Sequence, residues 1–199
     1  MQDPNAKTVQ EKKPVKRIGV VSWFDGEIGR RLEVAVKNRP ELLDTNRFSF
    51  ADRARILLDE YGIAPSRRQV FENITPTVGF AVLTKALSGN LGSVDEIGVN
   101  VHALGNGSTP PDASDTTLEG EVARVLLASR SYSGAKAYYT AFYGLAEAVG
   151  THTEMGLFMD ADEGTPDDGT LWDRSLTSIT KTGIQSLTID YEDEFSNDV

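Results

Sequence analysis

Residues 99–121 constrain the fold more tightly than any other stretch. The chain leaves an alternating apolar run at Val99, crosses Gly105-Asn106-Gly107, passes Pro110-Pro111 and meets a second apolar run at Val122–Leu127. Glycine and asparagine accept positive φ at little cost, and adjacent prolines preset an extended path. Asp112, Ser114, Asp115 and Thr116 carry short polar side chains that can hydrogen-bond nearby backbone groups. The stretch therefore reads as a long, chemically specified loop between two strands. Downstream of it the chain reads as sheet. Upstream it reads as an arm and helices that present or dock that sheet.

Alternation and aromatic or β-branched runs predict six strands: Ile97–Leu104, Val122–Leu127, Ala135–Tyr143, Thr153–Met159, Thr170–Leu176 and Gln185–Phe195. Leu145–Val149 reads as a short helical or turn insert. Gly156, between Met155 and Leu157, predicts a close backbone approach or a bulge. Near the N-terminus, residues 1–16 form a polar arm. Arg17–Trp23 is β-rich, Asp25-Gly26 is a hairpin signal, and Arg31–Val36 alternates and can pair back. Ser49 suits the N-cap of a helix over Phe50–Glu60 that Gly62 stops. Thr75 as N-cap, with Pro76 at the first helical position, opens a second helix ending at Ser88-Gly89-Asn90. The expected fold class is mainly β: an antiparallel β-sandwich, jelly-roll-like, preceded by an N-terminal arm, a hairpin and two helices. Residues 1–70 are then a docking region, and residues 71–199 a helix plus the sandwich domain.

Composition narrows the function classes. No apolar run among the 199 residues approaches the ~20 needed to span a bilayer, so membrane insertion is not expected. The N-terminal stretch lacks the apolar core of a secretory signal. With no cysteine, disulfides, zinc thiolates and cysteine nucleophiles are excluded. Residues 1–90 hold 15 Lys/Arg and 11 Asp/Glu, a net +4, while residues 91–199 hold 5 and 19, a net −14. An acidic half does not seek phosphates, so no nucleic-acid partner is expected. The plain reading of the charge is solubility. The sharper one is a head-to-tail contact, basic arm on a neighbour's acidic surface.

Catalytic signatures are sparse. His102 and His152 are the only histidines, and structural or surface roles suit both. There is no G-x-S-x-G elbow and no phosphate-binding glycine loop. The run Asp160, Asp162, Asp167 and Asp168 clusters hard carboxylates with glycine, as calcium requires, but its spacing is not an EF-hand loop and a solvated acidic hairpin loop is the simpler reading. Asp190, Glu192, Asp193, Glu194 and Asp198 read as a solvated strand face and terminus. Tyr132, Tyr138, Tyr139, Phe142, Tyr143 and Trp172 are either a sugar-binding platform or, more simply, core and interface.

The order of several segments carries further information. Asn73-Ile-Thr-Pro-Thr-Val-Gly79 opens a helix; ALGNGSTPPDASDTTLEGEVAR spans 103–124; Glu154-Met-Gly-Leu-Phe158, Gly169-Thr-Leu-Trp-Asp-Arg174 and Thr180-Lys181 come next; Leu187-Thr-Ile-Asp-Tyr191 precedes a final Phe195. This succession resembles small structural proteins of tailed bacteriophages and related viruses, over residues 73–195. The departures are Pro76 where asparagine is usual and Tyr191 where tryptophan is usual. The resemblance implies a virion component made in the host cytoplasm: a tail, fibre-attachment or capsid-surface sandwich that forms a homo-oligomer, contacts other virion proteins and needs no cofactor or catalysis. Asp115, Thr116 and Glu121 would then fix the loop's path or its contact with a neighbour. Glu121, Arg124, Glu154 and Arg174, charged and set among apolar strand residues, are expected to be paired, within the chain or across subunits. The alternative is a carbohydrate- or host-receptor-binding sandwich, with or without calcium; a hydrolase is third.

Overall fold

The computed structural model describes residues 16–72, 74–90 and 97–195. Among these residues nine strands form two antiparallel sheets. The strands are β1 (Lys16–Asp25), β2 (Arg67–Glu72), β3 (Val99–Gly105), β4 (Glu121–Leu126), β5 (Ser129–Ser133), β6 (Lys136–Tyr143), β7 (Gly150–Met159), β8 (Thr170–Lys181) and β9 (Gln185–Glu194). Helices α1 (Gly26–Asn38), α2 (Phe50–Tyr61) and α3 (Thr77–Leu87), with a 3-10 turn at Pro40–Leu43, complete the order. One sheet runs β2-β1-β9-β6-β5, the other β4-β3-β7-β8. The mainly β class and the sandwiching antiparallel sheets are as expected.

Three apolar clusters hold the layers together. The main one lies between the sheets and includes Val21, Trp23, Leu104, Met155, Leu157, Leu187, Ile189 and Tyr191. Each of these strands alternates, so one face of each sheet reaches this core. The second lies on the outer face of the five-stranded sheet, where Leu32 and Ala35 of α1 and Leu57 of α2 meet Phe24 and Ile63. The third covers the outer face of the four-stranded sheet, where Leu118 from the 106–120 loop packs on Val101, Ala103, Phe158 and Leu171. Helix α3 lies against β8, with Val82 in the main core.

The hairpin expected over residues 17–36 does not form. Gly26 takes φ +52, and the chain passes directly from β1 into α1. In RLEVAV, alternation and helical spacing coincide: Leu32 and Ala35 share a helical face with Ile28 and Val36, and that face packs on the sheet. Residues within the expected docking region also supply strands. β1 is an interior strand, paired with β9 from Lys16↔Glu194 to Asp25↔Gln185 and with β2 on its other side. Strands β2 and β5 are not foreseen from the sequence; both are short, polar edge strands. Helix α3 begins at Thr77 with Pro76 as its N-cap residue, and the buried Thr75 hydroxyl has no hydrogen-bond partner among the described residues. By contrast Ser49 caps α2 as expected, accepting from Asp52 N–H at 3.1 Å, and Gly62 ends it at φ +59.

The acidic face read on β9 is only partly solvated: Glu192 and Glu194 are half-buried and pair with Lys136, but two other carboxylates are covered. Asp190 is 6% exposed and Asp193 is fully buried, because helices cover the outer face of β9 as the partner sheet covers the inner one. Asp190 accepts from Arg53 of α2 and from the Thr140 hydroxyl, and Asp193 accepts from Trp172 Nε1–H at 2.8 Å. Asp198 lies outside the described residues.

Candidate functional site

The loop of residues 106–120 is held from below by one carboxylate. Glu154, on β7 opposite Gly105 of β3, is fully buried. Its Oε1 accepts the backbone N–H of Gly107 at 2.8 Å and of Gly120 at 2.7 Å, so both ends of the loop meet on one oxygen. Its Oε2 accepts Glu119 N–H at 3.1 Å and the Arg174 guanidinium at 2.9 and 3.0 Å. A buried carboxylate persists only when paired and hydrogen-bonded, and Glu154 is both.

Arg174, on β8, carries the clamp outward. Its Nη1 donates to Asp115 at 2.7 Å and its Nη2 to the Thr109 carbonyl at 3.1 Å. Burial alone would lower the Arg174 guanidinium, but the bonds to Asp115 and Glu154 outweigh it and raise its pKa. Asp115 also accepts Asp112 N–H at 2.9 Å. Glu119 accepts the N–H groups of Ser108 and Thr109, each at 2.9 Å, and these backbone bonds hold its carboxyl below the usual range. The backbone of Arg174 bridges to Ile74 ahead of α3, and Thr77 N–H donates to the Ala113 carbonyl at 2.8 Å. The loop is thus fixed to β7, β8 and α3 together.

This geometry revises the role of the two glycines. Neither Gly105 nor Gly107 takes positive φ. A Cβ at Gly105 would stand 2.5 Å from Glu154 Oε1, and one at Gly107 would overlap the same oxygen. They are glycines because the carboxylate needs their space. Gly156 shows the foreseen close approach: a Cβ there would meet the Asp173 carbonyl at 2.6 Å.

A second pair ties the acidic 160–169 loop to β4. Arg124 and Glu121 form two parallel bonds of 2.5 and 2.6 Å, and both side chains are buried. Arg124 also donates to the Asp162 carbonyl at 2.7 Å, and Glu121 accepts Asp167 N–H at 3.2 Å. Within the loop, Asp162 accepts Gly164 N–H and Asp168 accepts Asp162 N–H, while Asp167 accepts the hydroxyl of Thr117 from the 106–120 loop. Three of the carboxylates suspected of calcium binding, Asp162, Asp167 and Asp168, are thus engaged in fixing the loop. Among the described residues no group of three His, Asp or Glu is placed to hold a metal ion.

The expected contact residues therefore fall into two intramolecular sets. Asp115, Glu154 and Arg174 come together, as do Glu121 and Arg124. Thr116 is exposed and joins neither. The aromatic residues do not form one platform: Tyr143 and Trp172 are core, while Tyr132 is 83% exposed.

Three buried polar groups escape sequence reading. His102, on β3, crosses the sandwich: Nδ1 lies 2.7 Å from the Tyr143 hydroxyl and Nε2 2.8 Å from that of Tyr191. Tyr143 also donates to the His102 carbonyl at 3.2 Å, which leaves its oxygen to accept from Nδ1–H and Nε2 to accept from Tyr191. Burial, with a smaller effect from His152, pushes the imidazole down to about 3, and burial raises both tyrosines. Lys181 ends β8 and donates to the carbonyls of Gly144, Leu145 and Glu147 at 2.6, 3.0 and 2.7 Å, filling all three ammonium positions. Burial lowers its pKa. Arg53 reaches from α2 to Asp190. The alternating position of His102 and the lysine closing the β8 run are the only signals in the sequence, and neither names a partner.

Among the described residues no helix is long and apolar enough to cross a membrane. Comparisons with protein-family models, curated proteins and solved structures gave no match.

Proposed function

We propose that this chain is a structural component of a tailed-virus particle: an oligomeric, non-catalytic subunit that docks on other virion proteins through its N-terminal region and displays the sandwich. The observation that carries the reading is the clamp of Glu154 and Arg174 beneath the 106–120 loop. It engages charged side chains in holding a surface loop in one shape, which suits a contact element that must fit a neighbour repeatedly. Preorganised loops bind at lower entropic cost than mobile ones. The charge distribution supports the same reading, since a +4 half and a −14 half on one chain favour head-to-tail contact between copies.

Light scattering and electron microscopy of the purified chain test this. Symmetric particles several times the 21.7 kDa monomer are expected, alone or on mixing with the partner virion proteins. A chain that stays monomeric under all these conditions removes the proposal.

A further inference from the structure

The helix layer does not close fully onto the five-stranded sheet. A cavity of about 270 Å³ remains between α1, the 3-10 turn, α2 and the outer face of β1 and β9. Leu32, Val36, Leu42, Leu57 and Ile63 make most of its wall apolar. One end is polar, where Ser22, Arg53, Thr188 and Asp190 converge, and the exposed Arg68 of β2 also lines the cavity. An apolar cavity of roughly 150 Å³ already suffices to hold a benzene ring. Ligand pockets share this pattern of an apolar wall with a few polar groups that set orientation.

Arg53 keeps the space open. Its guanidinium reaches from α2 to Asp190 on β9 and to Thr140 on β6, and so holds the helix off the sheet. The segment leading into α2 is tied down as well: Thr45 N–H donates to Ser129 Oγ at 2.7 Å, and the Asn46 amide donates to the Arg130 carbonyl at 3.1 Å. The helix cannot settle inward without breaking these bonds. The two bonds of Arg53 use two of the guanidinium's five N–H donors. Phe50, half-buried at the start of α2, lines both this cavity and a neighbouring recess beside Tyr138 and Glu192.

We propose that this cavity binds a neutral medium-chain amphiphile, its aliphatic body against Leu32, Leu57 and Ile63 and its hydroxyl or carbonyl head at Arg53 and Thr188. The head is uncharged because the buried Arg53 and Asp190 together sum to zero, while Arg68, which also lines the cavity, is exposed and its charge is screened by solvent: a carboxylate head would meet Asp190, and an ammonium would meet Arg53. The site is independent of the assembly role proposed above.

The test is a titration of the methyl-labelled protein, followed by NMR, with octanol, octanoate and octylammonium in parallel. Octanol is expected to give saturable shifts at the Leu57 and Ile63 methyls and to raise Tm, with both ions at least tenfold weaker. Ala54→Leu and Val36→Leu each place extra carbon in the cavity, and each is expected to weaken octanol at least tenfold without lowering Tm. Two variants are used so that a folding defect in one leaves the other to decide. Absence of saturable shifts overturns the site. Equal binding of the three heads, or parent-like binding by both variants, overturns the assigned chemistry or location.

Discussion

Glu154→Gln keeps the shape of a side chain that serves four partners, removes its charge and puts an amide donor where N–H groups converge. Breaking one side of a buried pair costs about 3–5 kcal/mol, and urea unfolding of this variant is expected to show a loss in that range. Gly107→Ala attacks the same oxygen by volume: the added methyl would also stand 2.5 Å from Glu119 Cβ, and a loss of about 1–3 kcal/mol is expected. His102 makes a pH prediction. Its imidazole titrates near the ordinary value in the unfolded chain but at about 3 when folded, so on acidification the unfolded state takes up the proton first. The contribution of His102 is therefore complete above about pH 6.5 and falls by about 1.4 kcal/mol per pH unit down to about pH 3. Urea unfolding across that window should show this slope, and His102→Gln should flatten it by one proton's worth.

Among the elements, the β6–β7 connection depends on one ammonium. Lys181→Met leaves three carbonyls of residues 144–147 without their donor, and a loss of about 2–3 kcal/mol is expected, with hydrogen exchange accelerating in this turn more than in β3. A lysine at the end of a strand looks like ordinary solubility in sequence, because its carbonyl partners lie more than thirty residues away. Helix α1 shows the opposite difficulty. Its local signals are present but ambiguous, since Asp25-Gly26 serves as a hairpin turn or as a strand-to-helix break, and RLEVAV satisfies both periods. Burial on the sheet decides between them. Ser49 and Gly62 are legible in advance because capping needs only neighbours in the chain.

At the scale of the whole molecule, α1 and α2 cover the five-stranded sheet, the 106–120 loop covers the four-stranded one, and the main core lies between the sheets. The charge asymmetry runs along the chain and bears on assembly. If copies associate basic arm to acidic half, raising salt to 1 M, where the Debye length is about 3 Å, should disperse the oligomer. Assembly unchanged at that ionic strength would count against a charge-driven contact. Asp115→Ala releases the outer end of the Arg174 clamp without emptying the buried Glu154 pair. It is expected to disturb assembly while the sandwich stays folded, read by circular dichroism alongside light scattering.

Local signals in the sequence suffice for the mainly β class, for six of the strands, for two helices and, save for the start of α3, their boundaries, and for the long loop as the feature that needs explaining. Those come from periodicity and turn chemistry, which act over a few residues. Long-range packing settles that β1 lies inside a sheet, that Asp190 and Asp193 of β9 are covered, and that Gly105 and Gly107 make room for Glu154. Each of these depends on a surface brought in from far along the chain. The loop at 106–120 shows the division most plainly: its composition marked it as specified, but its shape is set by a carboxylate and a guanidinium on two other strands.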